Sequence, residues 1–321
     1  MVALHGLLRK NASRIVLSHK ERTGSQPGPF ALGDKFASIG RAGDGKEVGP
    51  SGAMLLTLKT IVKKFLLLIG VDELVRSHPF SFFIRRLFSK EYAREKLLYA
   101  ELLPRESSLV FDIGSNKGYK AEIFLELNHR VLAVDPDPIN IRIMRKRLRA
   151  RTGLSVLESA VAEVEDSRTF FVAGKGSPLN TFSPKWKATL EDASVTPLRS
   201  ANSFPSRLTV KTTTLDRLIE EFGVPDYVKI DVEGYEKNVM AGLSTPVRLL
   251  SFECNLPEFT AESCWCLSHY HALVPNSEFN YHDNQSWGFP NFVPFETFRA
   301  WLESDHGLRY FEVYCRPAAT P

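Results

Sequence analysis

An acid and two glycines stand together at Asp112, Gly114 and Gly118 in the stretch LVFDIGSNKGYK, Leu109 to Lys120. The pattern D-x-G-x-x-x-G follows directly on a short apolar run, where a strand would pass into a helix. Glycine at such a place permits positive φ and lets a ligand lie close against the backbone. The G-x-G-x-x-G spacing of dinucleotide loops is absent, as is the Lys-Ser/Thr ending of the phosphate-cradling loop, so a pyrophosphate is not what this turn is built to hold. Asp135, in VLAVDPDP, closes the next apolar run, 135 − 114 = 21 positions after Gly114. A carboxylate there can accept hydrogen bonds from both ribose hydroxyls of a nucleoside; its structural alternative is a helix N-cap ahead of Pro136 and Pro138. Loop and acid together suggest a nucleoside lacking a diphosphate, and S-adenosylmethionine is the common cofactor of that description.

Methyl transfer from a sulfonium is an in-line displacement, to which an enzyme contributes alignment, exclusion of water and, for a hydroxyl nucleophile, a base. Three further acids could serve. Asp231 and Glu233 sit in VKIDVEGYE, and Glu253 ends the run LLSFE. Asp231 is expected to point into the pocket and position the cofactor's cationic end or the substrate, while Glu233 is catalytic or else stabilises the turn at Gly234. A carboxylate near a sulfonium is held ionised and makes a poor base. Histidine is better matched to neutral pH, which makes His282, in EFNYHDNQSWG on a hairpin over the cleft, the catalytic candidate, with His269 and His271 also downstream. Cys264, Cys266, His269 and His271 form C-x-C-x-x-H-x-H. That tight spacing is not a usual zinc pattern, and no metal site is expected.

The third glycine-bearing stretch, TVKTTTLDRLIEEFGVPDYVKIDVEGYEKNVMAGL, Thr209 to Leu243, carries a resemblance. FDIGSNKG, VDPDP, TTLDRL and VKIDVEGYE occur in the order and with gaps similar to those of the FkbM family of methyltransferases, over roughly Leu109 to Leu256. The resemblance implies a Rossmann-like class I methyltransferase fold: a seven-stranded, mostly parallel sheet with an antiparallel last strand, helices on both faces, and S-adenosylmethionine at the carboxyl ends of the strands. It implies that Asp112 and Gly114 line the methionine part, with Asn116 in the turn beneath; Gly118, closing the loop, is also expected to contact the cofactor. Asp135 takes the ribose, Ala160 borders the adenine, and Asp231 sits beside the methyl group. Ser115 and Lys117 depart from the small residues usual in this loop, and Lys120 opens the following helix.

The elements that must position these residues are legible as alternating apolar and helical stretches, the signature of parallel βαβ units. Strands are expected at Leu109–Ile113, Arg130–Val134, Ser155–Glu158, Tyr227–Ile230, Arg248–Glu253 and Tyr310–Cys315. A helix with Tyr119, Ile123, Phe124 and Leu127 on one face joins the first two. Residues 54–104 read as an N-terminal helical cap and 105–321 as the methyltransferase domain. The stretch from Ala173 to Leu208 shows no clear element and, with residues 256–295, is expected to shape the acceptor pocket. Trp186, Trp265, Tyr281 and Trp287 in those segments suit a sugar or polyketide face as readily as a core.

Charge and cysteine narrow the classes. Residues 1–53 hold 8 Lys/Arg against 4 Asp/Glu, so the remaining 33 basic and 33 acidic residues cancel. The charge total gives no support to a nucleic-acid partner, and the basic run NIRIMRKRLRAR reads as the solvated face of a helix. Residues 1–53 also hold 9 of the 20 glycines and read as a disordered tail; residues 1–20, acid-free until Glu21, have the composition of a targeting segment. Four cysteines suit a reducing compartment and a cytoplasmic location, with organelle targeting through residues 1–20 as the alternative. The run MLLTLKTIVKKFLLLIGV is broken by Lys59, Lys63 and Lys64, so no transmembrane segment is expected and weak peripheral contact with a membrane is the most it could make. The expected activity is S-adenosylmethionine-dependent O-methylation of a small-molecule, glycan or polyketide-like acceptor. A nicotinamide-dependent oxidoreductase and a non-catalytic nucleoside-binding module are the rival readings.

Overall fold

The structure is a computed structural model that describes residues 89–103, 105, 107–192 and 203–318. The expected tail and most of the helical cap lie outside the described residues. Of the cap, helix α1 (Lys90–Leu102) is described; Ser89 caps it by accepting from the Tyr92 N–H.

A main sheet of eight strands has the order β10-β9-β11-β8-β7-β1-β2-β3. Its central strands are β1 (Leu109–Ile113), β2 (Arg130–Asp135), β3 (Leu154–Glu158), β7 (Tyr227–Ile230) and β8 (Leu250–Asn255), all parallel to their neighbours in this group. β11 (Tyr310–Pro317) runs antiparallel between β8 and β9 (Ser277–His282). The two-residue β10 (Val293–Pro294) on the outer edge makes the sheet eight-stranded where seven were expected. Helices α2 (Tyr119–Glu126), α3 (Pro138–Leu148) and α5 (Leu215–Phe222) make the crossovers between parallel strands. The order reverses at β1, with β2 on one side and β7 on the other, and in open α/β sheets ligands bind at such a switch point.

Strand alternation explains the two cores. Phe111, Ile113, Val228, Ile230 and Phe252 bury one face of the sheet. Val110, Val131, Ala133, Tyr227 and Tyr314 bury the other beneath α1, α2 and α3. Asp112, Lys229, Ser251 and Glu253 share the second face, Asp112 two residues from Val110 and Lys229 two from Tyr227 on their strands. Polar groups of that face are paired: the Tyr227 and Ser251 hydroxyls lie 2.6 Å apart, and Glu312 accepts from Ser251 at 2.6 Å and Tyr314 at 3.0 Å.

The stretch expected to lack elements contains helix α4 (Pro184–Glu191) and borders a second sheet. That sheet, ordered β4-β6-β5, joins β4 (Ala160–Val161), β5 (Ser167–Val172) and β6 (Ser206–Thr213). Helices α6 (Glu236–Met240), α7 (Thr260–Leu273) and α8 (Phe295–Glu303) complete the fold. Among the described residues no helix is long and apolar enough to cross a membrane.

Candidate active site

A cavity of about 690 Å³ opens at the carboxyl ends of β1, β2, β7 and β8. Gly114 and Asp135 both line it, so the glycine turn and the acid face one space.

The turn after β1 is bare because of the protein's own packing. Gly114 has φ +80°, and a Cβ there would fall 1.8 Å from the Asp231 carbonyl oxygen. The Gly114 and Ser115 N–H groups donate to the Val134 carbonyl at 2.9 and 3.0 Å, and Asp231 N–H donates to Ile113 at 3.0 Å. Three strand ends are thereby drawn together where a side chain has no room. Gly118, at φ +75°, caps α2, and its missing side chain makes space for Met144, whose Cγ would lie 2.7 Å from a Cβ. Gly118 is not on the cavity wall, in contrast to the cofactor contact expected of it. Its place in the loop is against α3.

Asp135 ties two loops. Its Oδ2 accepts from the Asn116 N–H at 2.8 Å, and its Oδ1 accepts from the Asp137 N–H at 2.9 Å and Asn140 Nδ2 at 3.1 Å. The helix-capping alternative belongs to the next acid, since Asp137 is the residue that caps α3. Burial pushes the Asp135 carboxyl up to about 6 against the pull of these hydrogen bonds.

Asp112 is different. It is 1% exposed, lines the same cavity, and neither carboxylate oxygen has a hydrogen-bond partner among the described residues. Burial pushes it up to about 6, with Lys229 opposing and Asp231 assisting. A buried carboxylate without donors costs free energy that a ligand's N–H groups would recover. One consequence is testable without any ligand. A carboxyl whose folded pKa lies above its unfolded value stabilises the fold at low pH, and that contribution is lost as pH rises through the folded value. Asp112→Asn is therefore expected to match the wild type near pH 4 and to exceed it in stability by about 2–3 kcal/mol at pH 8, read by urea unfolding at both pH values.

The loop after β7 carries the densest charge. Lys229, its side chain 3% exposed in mid-strand, donates to Asp231 Oδ2 at 2.7 Å. Burial would raise the Asp231 carboxyl, but the Lys229 ammonium outweighs it and holds the group below the ordinary carboxylate range. Glu233 adopts φ +57°, and its Oε2 accepts from Trp186 Nε1 at 3.0 Å. The acid that holds the turn at Gly234 is Glu236, not Glu233: its Oε1 accepts from the Val232 and Gly234 N–H groups at 3.2 and 3.1 Å. Burial lifts the Glu236 carboxyl to about 7. Glu253 brings a carboxylate oxygen within 4.8 Å of those of Asp231 and Glu233.

Ala160 lines the cavity with Val161, Phe170 and Phe182, and the two phenyl rings stand 4.6 Å apart. His282 does not line it. Its Nδ1 accepts from the Asn284 N–H at 3.1 Å and its ring packs edge-on against Trp287, while Asn284 of the same hairpin reaches the cavity. Burial lowers its pKa. The expected catalytic histidine is thus turned away by its own hairpin. His269 and His271 are engaged with the Leu243 carbonyl and the Ser277 hydroxyl on α7. Trp265 stacks on His269, Tyr281 on Trp301, and Trp287 packs against Tyr314, so these aromatics belong to packing; the aromatics on the cavity wall are Phe170, Phe182, Tyr119, Tyr235 and Tyr310.

Lys229 and Tyr310 were not singled out by sequence reasoning. Lys229 had a signal: a charge inside an otherwise apolar four-residue strand, with an acid two positions on and therefore on the same face. Tyr310 had none, because its partner Glu253 is 57 residues away.

An open sheet with its cavity at the switch point, a glycine turn and an acid on the next strand together define a Rossmann-like methyltransferase fold. Residues 112–262, just under half the chain, match the family model of the methyltransferase FkbM domain. No curated protein matches the chain in sequence. Among solved structures it resembles the precorrin-6y C5,15-methyltransferase of Geobacter metallireducens, with 8% identity over 70% of this chain and 86% of that one and a TM-score of 0.38. It also resembles the fibrillarin of Aeropyrum pernix, solved with natively bound S-adenosyl-L-methionine (10% identity, 70% and 75% covered, TM-score 0.36). A third is a TehB-like methyltransferase of Corynebacterium glutamicum (12% identity, 71% and 87% covered, TM-score 0.35).

Proposed function

We propose that this methyltransferase takes its methyl group from S-adenosylmethionine and passes it to a hydroxyl of a small-molecule or glycan acceptor. The observation that carries the cofactor is Asp112: a buried carboxylate with two unsatisfied oxygens on the wall of a cavity that also holds Gly114 and Asp135. The α-ammonium of a methionine moiety supplies the missing donors. Asp135 keeps lone pairs beyond the three hydrogen bonds it accepts, enough for a ribose hydroxyl. Ala160, Val161, Phe170 and Phe182 offer an apolar slot suited to an adenine ring. Asn116 holds the loop between them through its N–H to Asp135. Asp231, fixed by Lys229, is the positioning group at the reacting end. Bound in this cavity, the sulfonium supplies an electrophilic methyl carbon.

Asp135→Ala is expected to weaken S-adenosylhomocysteine binding about tenfold, because it removes both a ribose acceptor and the clamp on Asn116. Unchanged affinity by calorimetry removes the ribose role. For the acceptor, the full chain is incubated with methyl-labelled cofactor and metabolite extracts, and the labelled product is identified. A methyl group on oxygen supports the reading; one on carbon or nitrogen overturns the hydroxyl assignment while leaving the cofactor in place.

A further inference from the structure

A hydroxyl acceptor must lose a proton as its oxygen takes the methyl group, and the histidine expected for that task faces elsewhere. Asp231 is committed to Lys229 and stays ionised, which makes it a weak proton acceptor. Glu233 is tethered through Trp186 at the edge of the loop.

We propose that Glu253, clamped at the carboxyl end of β8 by Tyr310 and Asn255, is the group that takes the acceptor's proton; the inference rests on the methyl-transfer reading above. Glu253 is 6% exposed and lines the cavity. Tyr310 Oη donates to its Oε1 at 2.6 Å and Asn255 Nδ2 to its Oε2 at 2.9 Å. Two donors fix the carboxylate plane, while each oxygen keeps a lone pair for a proton. The clamp comes from the antiparallel pairing of β11 on β8, in which Tyr310 stands opposite Asn255 and Glu312 opposite Glu253.

The surrounding charges favour this role. From β7 and the loop beyond it, Asp231, Glu233 and Glu236 press on Glu253; with burial as the largest cause, they raise its carboxyl well above the ordinary range. Lys229 stands on the same sheet face but pairs with Asp231. Lys120, which faces this end of the cavity from α2, pairs with Glu95 of α1. On β11, Glu312 adds negative charge and Tyr310 a donor. A cation entering the cavity offsets part of this rise, so that Glu253 can ionise yet keeps more proton affinity than Asp231, whose carboxyl Lys229 already holds low.

In the reaction the acceptor O–H bond breaks and its proton passes to Glu253. The oxygen forms a bond to the methyl carbon, the carbon–sulfur bond breaks, and its electron pair stays on sulfur as a thioether.

The test uses calorimetry on the full chain in buffers of different ionisation heat near pH 7. S-adenosylmethionine carries the sulfonium and S-adenosylhomocysteine lacks it, so their difference isolates groups that sense that charge. The expected result is release of about one more proton with S-adenosylmethionine, and loss of this excess in Glu253→Gln, with S-adenosylhomocysteine affinity kept within about threefold. In Tyr310→Phe, which spares the carboxyl but removes its donor, the excess is expected to move to higher pH. An excess of the same size in Glu253→Gln, or no excess in the wild type, overturns the proposal. Absence of binding by either compound sinks the methyltransferase reading itself, and this inference with it.

Discussion

Replacing Gly114 by Ala is expected to cost the fold about 4 kcal/mol or more, enough to leave little folded protein at 37 °C. Two causes add. The φ of +80° disfavours any L side chain by about 1–2 kcal/mol. The larger cause is the collision: the new methyl would stand 1.8 Å from the Asp231 carbonyl oxygen and 2.8 Å from its carbon, both backbone atoms that cannot swing aside. Relief requires β1 and β7 to part, which breaks the hydrogen bonds of Asp231 N–H to Ile113 and of Gly114 N–H to Val134. Gly307 is the internal control. It too has positive φ, +73°, but nothing lies within 4 Å of its would-be Cβ, so Gly307→Ala shows the dihedral cost alone. Urea unfolding of both variants separates the two causes; equal losses would mean that the turn yields without strain.

Lys229→Met is expected to cost about 2–4 kcal/mol at pH 7, as removal of one partner leaves a carboxylate beside Glu253 and Asp112 with no cation in contact. The lower end is favoured because Asp231 retains some solvent contact at 32% side-chain exposure. Asp231, held below its unfolded pKa, contributes stability that is present above the unfolded value and lost as pH falls through the folded one. The difference between Lys229→Met and the wild type should therefore be full at pH 7 and shrink below pH 4. Adding Asp231→Asn to Lys229→Met should recover part of the loss. A loss that is the same at both pH values, and is not recovered, would mean that the lysine acts through its stem rather than its charge.

What the sequence made legible was whatever depends on neighbours along the chain. Tyr227–Ile230 appears within its expected bounds, because a buried parallel strand is a short apolar run ending in an acid and a turn. Asp112, Gly114, Asn116, Asp135, Ala160, Asp231 and Glu233 all reach one cavity. β6 was hidden, since its residues SRLTVKTT lie mostly exposed on a small second sheet and only Leu208 and Val210 supply an apolar alternation, too short to read. β9 was read only as a hairpin over the cleft, and that misplaced His282: its ring orientation depends on Trp287 across the turn. The pairing of Glu253 with Tyr310 depends on the register of β11 against β8, a long-range choice that no local pattern encodes. The meaning of the glycines also changed with the fold. Their spacing signals the turn, but the atoms that exclude a side chain belong to Asp231 and Met144.

The central claim is that one cavity, built from the β1 turn and the β2 acid, binds S-adenosylmethionine through the vacant hydrogen-bonding capacity of Asp112. Titration of S-adenosylhomocysteine into the full chain and its Asp112→Asn variant tests it most directly. The account predicts saturable one-site binding by the wild type and an affinity at least about tenfold weaker in the variant, although the variant is the more stable protein at that pH. No binding by the wild type, with NAD(H) instead raising its melting temperature, would contradict the account and favour a nicotinamide cofactor.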